Sequence, residues 1–122
     1  MESDKFSLRE RIKSFVFAFA GFNYFFRHEH NARIHAGAAL VVLIIAFLMK
    51  LSAMEMISLI IVIGMVWIAE MFNTAIEKIM NHLSPASHPD VKLIKDIAAA
   101  GVLVAACVAV ITGLIIFIPR FF

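Results

Sequence analysis

The sequence has few charged residues and a single cysteine. Both shortages limit the kinds of protein that it can encode. Charged side chains make up 16% of the 122 residues, whereas a soluble domain usually carries roughly 25%. Cys107 stands alone, which excludes an intrachain disulfide. The net charge of +2 is too small to argue for nucleic acid as a partner. Internal repeats and low-complexity tracts are also absent, so the sequence predicts one small domain.

Apolar residues are correspondingly abundant, and they occur in long runs. They account for 62% of the chain, and three runs predict membrane spans at about residues 32–50, 56–80 and 97–118. The third is the clearest, with 22 uncharged residues from Ile97 to Ile118. The first has only 14 fully apolar residues, so we expect Arg33 and His35 to face the cytosol from its end.

The distribution of lysine and arginine predicts the orientation of these spans. Nine of the cations lie in the N-terminal segment or in the loop between the second and third spans, against two, Lys50 and Arg120, on the other side. The positive-inside rule therefore places the N-terminus in the cytosol and the C-terminus outside.

An aromatic segment precedes the first span. Residues 14–26 contain seven aromatic side chains among thirteen residues, after the basic sequence RERIK. This pattern predicts an amphipathic helix in the cytoplasmic membrane interface, at about residues 8–27. The alternative is a fourth span, for which thirteen residues are too few.

Carboxylates inside the second span require an explanation, because a carboxylate near mid-membrane costs about 2.5–3.5 kcal/mol. Glu70, Asn73 and Glu77 are spaced by three and four residues, so on a helix they fall within about 60° of one another. We call these three residues the polar stripe. Glu29 and Asp96 lie at the cytoplasmic mouths of the first and third spans, so the carboxylates are expected to gather on one membrane face.

More than one role satisfies these features. A structural interpretation makes Glu70 a protonated acid hydrogen-bonded between helices and Asp96 the N-cap of the third helix. A functional one, which we favour for the polar stripe, has carboxylates that hold Mg²⁺ with substrate phosphates and Lys95 on phosphate oxygens. A deeper carboxylate would then accept a proton from an alcohol in the lipid. A phosphotransferase and a proton or cation translocator both fit.

The polar stripe reads E-x-x-N-T-A-I-E from Glu70 to Glu77, and Lys95-Asp96 follows 18 residues later, before an alanine-rich helix. Upstream stands Glu29-His-Asn-Ala-Arg-Ile-His35. Together these motifs closely resemble the prokaryotic diacylglycerol kinase family, which includes the undecaprenol kinases. The resemblance covers nearly the whole chain. No Walker-type G-x-x-x-x-G-K-[ST] loop is present, so the chain is not a P-loop kinase.

The resemblance implies a homotrimer of three-span protomers in a bacterial cytoplasmic (inner) membrane, with active sites shared between neighbours. It implies ATP as co-substrate, Mg²⁺ as cofactor and a lipid alcohol, diacylglycerol or undecaprenol, as acceptor of the γ-phosphoryl group. Glu70 resembles the catalytic base, Asn73 the residue that orients the reacting groups, and Glu29 and Glu77 the Mg²⁺ ligands. The positions that resemble nucleotide contacts are Arg9 or Arg11, Phe17, Ala86, Ser87, His88, Lys95 and Asp96.

The sequence departs from the family in its N-terminal part. Phe17 stands where some members carry a nucleotide-contacting tyrosine. Arg33-Ile-His35 resembles the undecaprenol kinases more than the proteobacterial diacylglycerol kinases, which favours a polyprenol acceptor. Two other classes of function stay open: a proton- or cation-coupled small transporter, and a non-catalytic assembly subunit in which the polar stripe only joins helices.

Overall fold

The computed structural model describes residues 6–83 and 88–122, and every regular element in these ranges is a helix. In chain order the helices are α1 (Leu8–His28), α2 (His30–Leu48), α3 (Ala53–Leu83) and α4 (Pro89–Phe121). The all-α architecture is therefore confirmed. Contacts divide the chain into two units, Met1–Ile34 and His35–Phe122, which are described separately.

Capping side chains explain where the helices begin. Ser7 accepts a hydrogen bond from the backbone N–H of Glu10 at the start of α1, at 3.4 Å. At the start of α3, Ser52 accepts from the N–H of Glu55 at 3.2 Å, and the Glu55 carboxylate accepts from the N–H of Ser52 at 3.0 Å. This reciprocal pair is a capping box. Lys50, with a φ of 56°, turns the chain out of α2 in the left-handed conformation common after helix ends.

The start of α4 differs from the predicted start of the third span. α4 begins at Pro89, a residue whose missing N–H is tolerated in the first helical turn. His88 caps it, because its Nδ1 accepts a hydrogen bond from the N–H of Asp90 at 3.1 Å. The interpretation of Asp96 as the N-cap is therefore wrong, since Asp96 lies well inside the helix.

Three helices in the described part of the chain are long and apolar enough to cross a membrane. They are α2, α3 and α4, with 19, 31 and 33 residues. At 1.5 Å per residue they measure about 28, 46 and 50 Å, against a hydrocarbon core of roughly 30 Å. α3 and α4 are therefore longer than the hydrocarbon core is thick. The interfacial position of α1, the orientation and the trimer stay predictions.

The first unit contains α1 and the first turn of α2. Phe25 and Ala32 are its buried side chains in the described range, whereas Phe15, Phe17 and Phe19 are exposed on α1. Exposed aromatic side chains on a basic helix are typical of segments that bind at a membrane interface. The structure of this unit is thus compatible with the predicted position.

The second unit contains the rest of α2 with α3 and α4. Ala46, Leu59 and Ile116, one from each helix, form a small apolar core. Close to it Arg120, near the end of α4, forms an ion pair with Glu55, near the start of α3. Because the start of α3 meets the end of α4, the two helices are antiparallel. The polar stripe lies further along α3, away from this core.

Candidate active site

Glu70 occupies the buried face of α3 at the point where that face changes from apolar to polar. Val66 precedes it by one helical turn, Thr74 follows by one turn, and all three side chains are buried. Residues four apart share a face of a helix, so the Glu70 carboxylate points into the same interior as the core. Its side chain is only 8% exposed. A carboxylate this buried requires a hydrogen-bonding partner.

His35 of α2 is that partner. Its Nε2 lies 3.1 Å from Oε1 of Glu70. An ionised carboxylate only accepts hydrogen bonds, so His35 donates through Nε2–H when Glu70 is ionised. The sequence predicted His35 as a cytosol-facing residue at the end of the first span. The structure instead turns its ring toward α3, and its side chain is 32% exposed.

The rest of the polar stripe forms a second pair, one turn further along α3. Asn73 donates from Nδ2 to Oε1 of Glu77 at 3.4 Å. Oδ1 of Asn73 is buried and has no hydrogen-bond partner among the described residues. A buried acceptor left unpaired costs about 1–3 kcal/mol. This oxygen is therefore suited to a group that a ligand would bring, a hydroxyl or a cation.

The donor set of this pair fits Mg²⁺ in kind. Glu77 and Asn73 offer oxygen atoms, and Mg²⁺ is usually bound by one or two carboxylates together with substrate phosphates and waters. No group of three or more His, Cys, Asp and Glu side chains lies together in the described ranges. The pair would therefore supply only part of a coordination shell. Glu29, the other predicted ligand, is the C-cap of α1 in the first unit, and its role stays a prediction.

Lys95 and Asp96 are neighbours on α4 but contact different residues. Nζ of Lys95 donates a hydrogen bond to Oδ1 of Asn81, near the end of α3. Asp96 forms an ion pair with Lys92, one turn earlier on α4. Exposed contacts of this kind are worth about 0–1 kcal/mol, so phosphate oxygens would displace them at little cost. The contact of Lys95 and Asp96 with nucleotide stays a prediction.

The other predicted nucleotide contacts lie in α1 and before α4. Arg9 and Phe17 are exposed on α1, and the Arg11 guanidinium stands 5.8 Å from the centroid of the Phe6 ring. Arg9 and Arg11 both remain candidates. The predicted contacts near the start of α4 are His88, which caps the helix, and Ala86 and Ser87, which lie outside the described residues.

An apolar cavity of about 390 Å³ lies among α2, α3 and α4, within the range of about 300–1,000 Å³ typical of ligand sites. It extends from His35 and Trp67 to Phe117. Small residues on α4 make room for it: Ala106, Ala109 and Gly113. The cavity therefore leads along the spans to the residue that holds Glu70. Sequence reasoning missed the cavity and the contact between His35 and Glu70. The small residues of α4, at spacings of three and four, were a readable signal for the cavity.

Comparison with known proteins supports the resemblance of the motifs. The family described as prokaryotic diacylglycerol kinase matches residues 16–117. An undecaprenol kinase from Bacillus subtilis (strain 168) is 41% identical over 113 residues, covering 93% of this chain and 92% of the relative. A diacylglycerol kinase from Synechocystis sp. (strain ATCC 27184 / PCC 6803 / Kazusa) is 36% identical over 109 residues, covering 88% of this chain and 62% of the relative.

The family match contains the polar stripe, Glu29 and Lys95-Asp96. It covers far more than half of the 122 residues, and both relatives carry names of lipid kinases. The prediction of a lipid kinase, drawn from these motifs, is confirmed at the level of the family. The chain belongs to the prokaryotic diacylglycerol kinase family.

Proposed function

We propose that the protein transfers the γ-phosphoryl group of MgATP to the hydroxyl of a membrane lipid alcohol, with undecaprenol preferred to diacylglycerol. One observation carries the proposal: the partner of a buried carboxylate lines one end of an apolar cavity. Glu70 is hydrogen-bonded to His35, and His35 also lines the cavity. A lipid whose tail entered the cavity would bring its hydroxyl to this end.

Glu70 acts as the general base in this proposal. The hydroxyl oxygen of the lipid attacks the γ-phosphorus, and its proton passes to the carboxylate oxygen of Glu70 that His35 does not hold. The new bond joins the lipid oxygen to phosphorus, and the bond from phosphorus to the β,γ-bridging oxygen breaks, which releases ADP. A positioned general base contributes roughly 10²–10⁴-fold to such a reaction.

The nucleotide would bind nearer the end of α3 than the lipid hydroxyl. Glu77 lies seven residues beyond Glu70, which is about 10 Å along the helix axis. Glu77 and Asn73 would hold Mg²⁺, which supplies charge neutralisation at the phosphate oxygens when bound. The role of Glu29 as a second carboxylate ligand rests on the resemblance to the family alone. Lys95 would add a positive charge on the same side. Because three spans cannot enclose a nucleotide by themselves, we propose a homotrimer in which a neighbour completes each site.

The depth of Glu70 favours a lipid acceptor over a soluble one. A lipid enters sideways from the bilayer and reaches the carboxylate through the apolar cavity. A water-soluble alcohol would first have to pass the nucleotide. The transporter and the assembly subunit gain no support from the family match, and both predict that ATP is not consumed in lipid phosphorylation.

Two observations favour a polyprenol acceptor. Arg33-Ile34-His35 resembles the undecaprenol kinases, and the relative named undecaprenol kinase is aligned over 92% of its own length at 41% identity. The cavity is lined almost entirely by apolar side chains, which suits the apolar tail of either lipid. The tail of such a lipid is too long for the cavity, so its remainder would lie in the bilayer.

A competition assay tests the proposal. Purified protein in mixed micelles receives ATP labelled at the γ-phosphate, Mg²⁺, and undecaprenol and diacylglycerol at equal mole fractions, with glycerol in a parallel reaction. We expect label in both lipids, more in undecaprenol, and almost none in glycerol. Efficient phosphorylation of glycerol with neither lipid labelled would contradict sideways entry. A preference for diacylglycerol would reverse the order of acceptors and leave the lipid kinase in place.

A further inference from the structure

The bond between His35 and Glu70 joins two helices across a sequence separation of 35 residues. The Glu70 carboxylate makes no other hydrogen bond among the described residues. The ring of His35 therefore determines where one carboxylate oxygen of Glu70 stands. The second oxygen is left for a different group.

The position of His35 connects the carboxylate with the cavity. His35 lines the cavity together with Ala38 and Ala39 from the next turn of α2 and Trp67 from α3. A molecule in the cavity therefore meets the ring whose Nε2 holds Glu70. Since Oε1 is occupied by His35, a hydroxyl arriving there is directed to Oε2.

Without the hydrogen bond from His35, the carboxylate of Glu70 would not be held in one orientation. The glutamate side chain has three rotatable bonds, and fixing such a chain costs up to about 2 kcal/mol of conformational entropy. The hydrogen bond from His35 holds the carboxylate before the lipid arrives, so that Glu70 is already oriented for the reaction.

We propose that His35 is a positioning residue for the kinase reaction: it holds Oε1 of Glu70 so that Oε2 faces the hydroxyl of the acceptor lipid. This role rests on the proposed function of Glu70 as general base. In the reaction His35 keeps its Nε2–H, and the proton from the lipid hydroxyl goes to Oε2 of Glu70. His35 touches neither ATP nor the reacting phosphorus in this account.

A purely structural role for the same bond is the alternative, because a hydrogen bond between spans also joins helices. The two roles differ in a double-mutant cycle with Glu70. A residue that acts through Glu70 has nothing left to position once the carboxylate is gone, so the two losses do not add. A residue that only joins helices weakens the protein by the same factor in either background.

The cycle uses the full chain in mixed micelles with four proteins: wild type, His35→Leu, Glu70→Gln and the double variant. His35→Leu should lower kcat about 10–100-fold, the usual effect of losing a partner that orients an active-site group, with little change in the KM for ATP. His35→Gln, which keeps an amide donor, should lose less. In the Glu70→Gln background, His35→Leu should cause no further loss. His82→Leu, an exposed histidine at the end of α3, serves as the matched control and should keep wild-type kcat.

Equal losses from His35→Leu in both backgrounds, or an unchanged kcat in His35→Leu, would overturn the positioning role while lipid phosphorylation by the wild type stands. If the wild type phosphorylates neither lipid, the proposed function fails and the positioning role fails with it. A readout independent of turnover is the ring ¹⁵N spectrum of labelled histidines, with the His35 signal assigned by its loss in His35→Gln. This signal should shift in Glu70→Gln and stay in place in Glu55→Gln. A His35 signal that does not shift in Glu70→Gln would contradict the contact between His35 and Glu70.

Discussion

Asn73 donates a hydrogen bond to Glu77 across one turn of α3, at 3.4 Å, and leaves its own Oδ1 buried without a partner in the described ranges. The amide therefore holds one oxygen of Glu77 and leaves its own oxygen for another group. Oxygen atoms from two residues one turn apart on a helix would suit part of the shell of a hard cation. The arrangement lies on the side of Glu70 where the proposed function places the phosphates.

We predict that the Mg²⁺ requirement depends on Glu77 and Glu29. Glu77→Ala and Glu29→Ala should each raise the Mg²⁺ concentration needed for half-maximal lipid phosphorylation and weaken nucleotide binding, because each removes a carboxylate ligand. Titration of Mg²⁺ at saturating ATP measures the effect. Glu10→Ala, which changes an exposed carboxylate on α1, is the control. Wild-type Mg²⁺ dependence in both variants would exclude them as ligands.

Lys95 is expected to contribute to ATP binding. Lys95→Gln removes a charge-assisted hydrogen bond to phosphate, worth about 1.5–3 kcal/mol, so the KM for ATP should rise about 10–100-fold with a smaller change in the KM for lipid. Steady-state kinetics with ATP varied at fixed undecaprenol gives both constants. Lys50→Gln is the matched control, since Lys50 is exposed in the turn between α2 and α3. An unchanged KM for ATP in Lys95→Gln would remove this residue from the nucleotide site.

Filling the apolar cavity should weaken lipid binding alone. A Cβ at Gly113 or at Gly101 meets no atom within 4 Å, but Gly113 lines the cavity and Gly101 is not among its lining residues. Both lie on α4, where leucine favours the helix more than glycine does. Gly113→Leu should therefore raise the KM for undecaprenol about 10-fold or more, and Gly101→Leu should leave it unchanged.

A helix of a neighbouring protomer is the alternative occupant of the cavity, in place of the lipid. The oligomeric state of both glycine variants therefore has to be measured beside the kinetics. We expect it to match the wild type in each. Dissociation of the oligomer in Gly113→Leu, with the KM for lipid unchanged in the remaining assembly, would assign the cavity to the interface between protomers.

The architecture was predictable because apolar runs and capping residues act locally. Hydropathy alone predicted three spans. Sequence reasoning missed the S-x-x-E pattern of Ser52 and Glu55, which marks the start of α3. The first residue of α4 was harder to predict, because hydropathy marks where the lipid-facing part of a helix begins and not where the helix itself begins. His88 and Pro89 start α4 in the polar segment before its apolar run, so Lys95 and Asp96 stand within the helix.

The candidate site was predictable to the extent that it lies on one helix. The spacing of Glu70, Asn73 and Glu77 placed them on one face, and the contact between Asn73 and Glu77 follows from that spacing. The partner of Glu70 did not follow, because His35 comes from another helix and only tertiary packing brings the two together. The cavity is likewise a product of packing among three helices.

The central claim is that Glu70 accepts the proton of the lipid hydroxyl, and Glu70→Gln tests it most directly. Glutamine keeps the size and hydrogen-bonding groups of the side chain but cannot act as a base. Single-turnover phosphorylation of undecaprenol should fall roughly 10²–10⁴-fold, while the affinity for ATP, measured by equilibrium binding, should stay at the wild-type value. Glu55→Gln, which changes a carboxylate at the other end of the same helix, should keep both properties. Near-normal turnover in Glu70→Gln would contradict the account, because it would leave this carboxylate with a structural role alone.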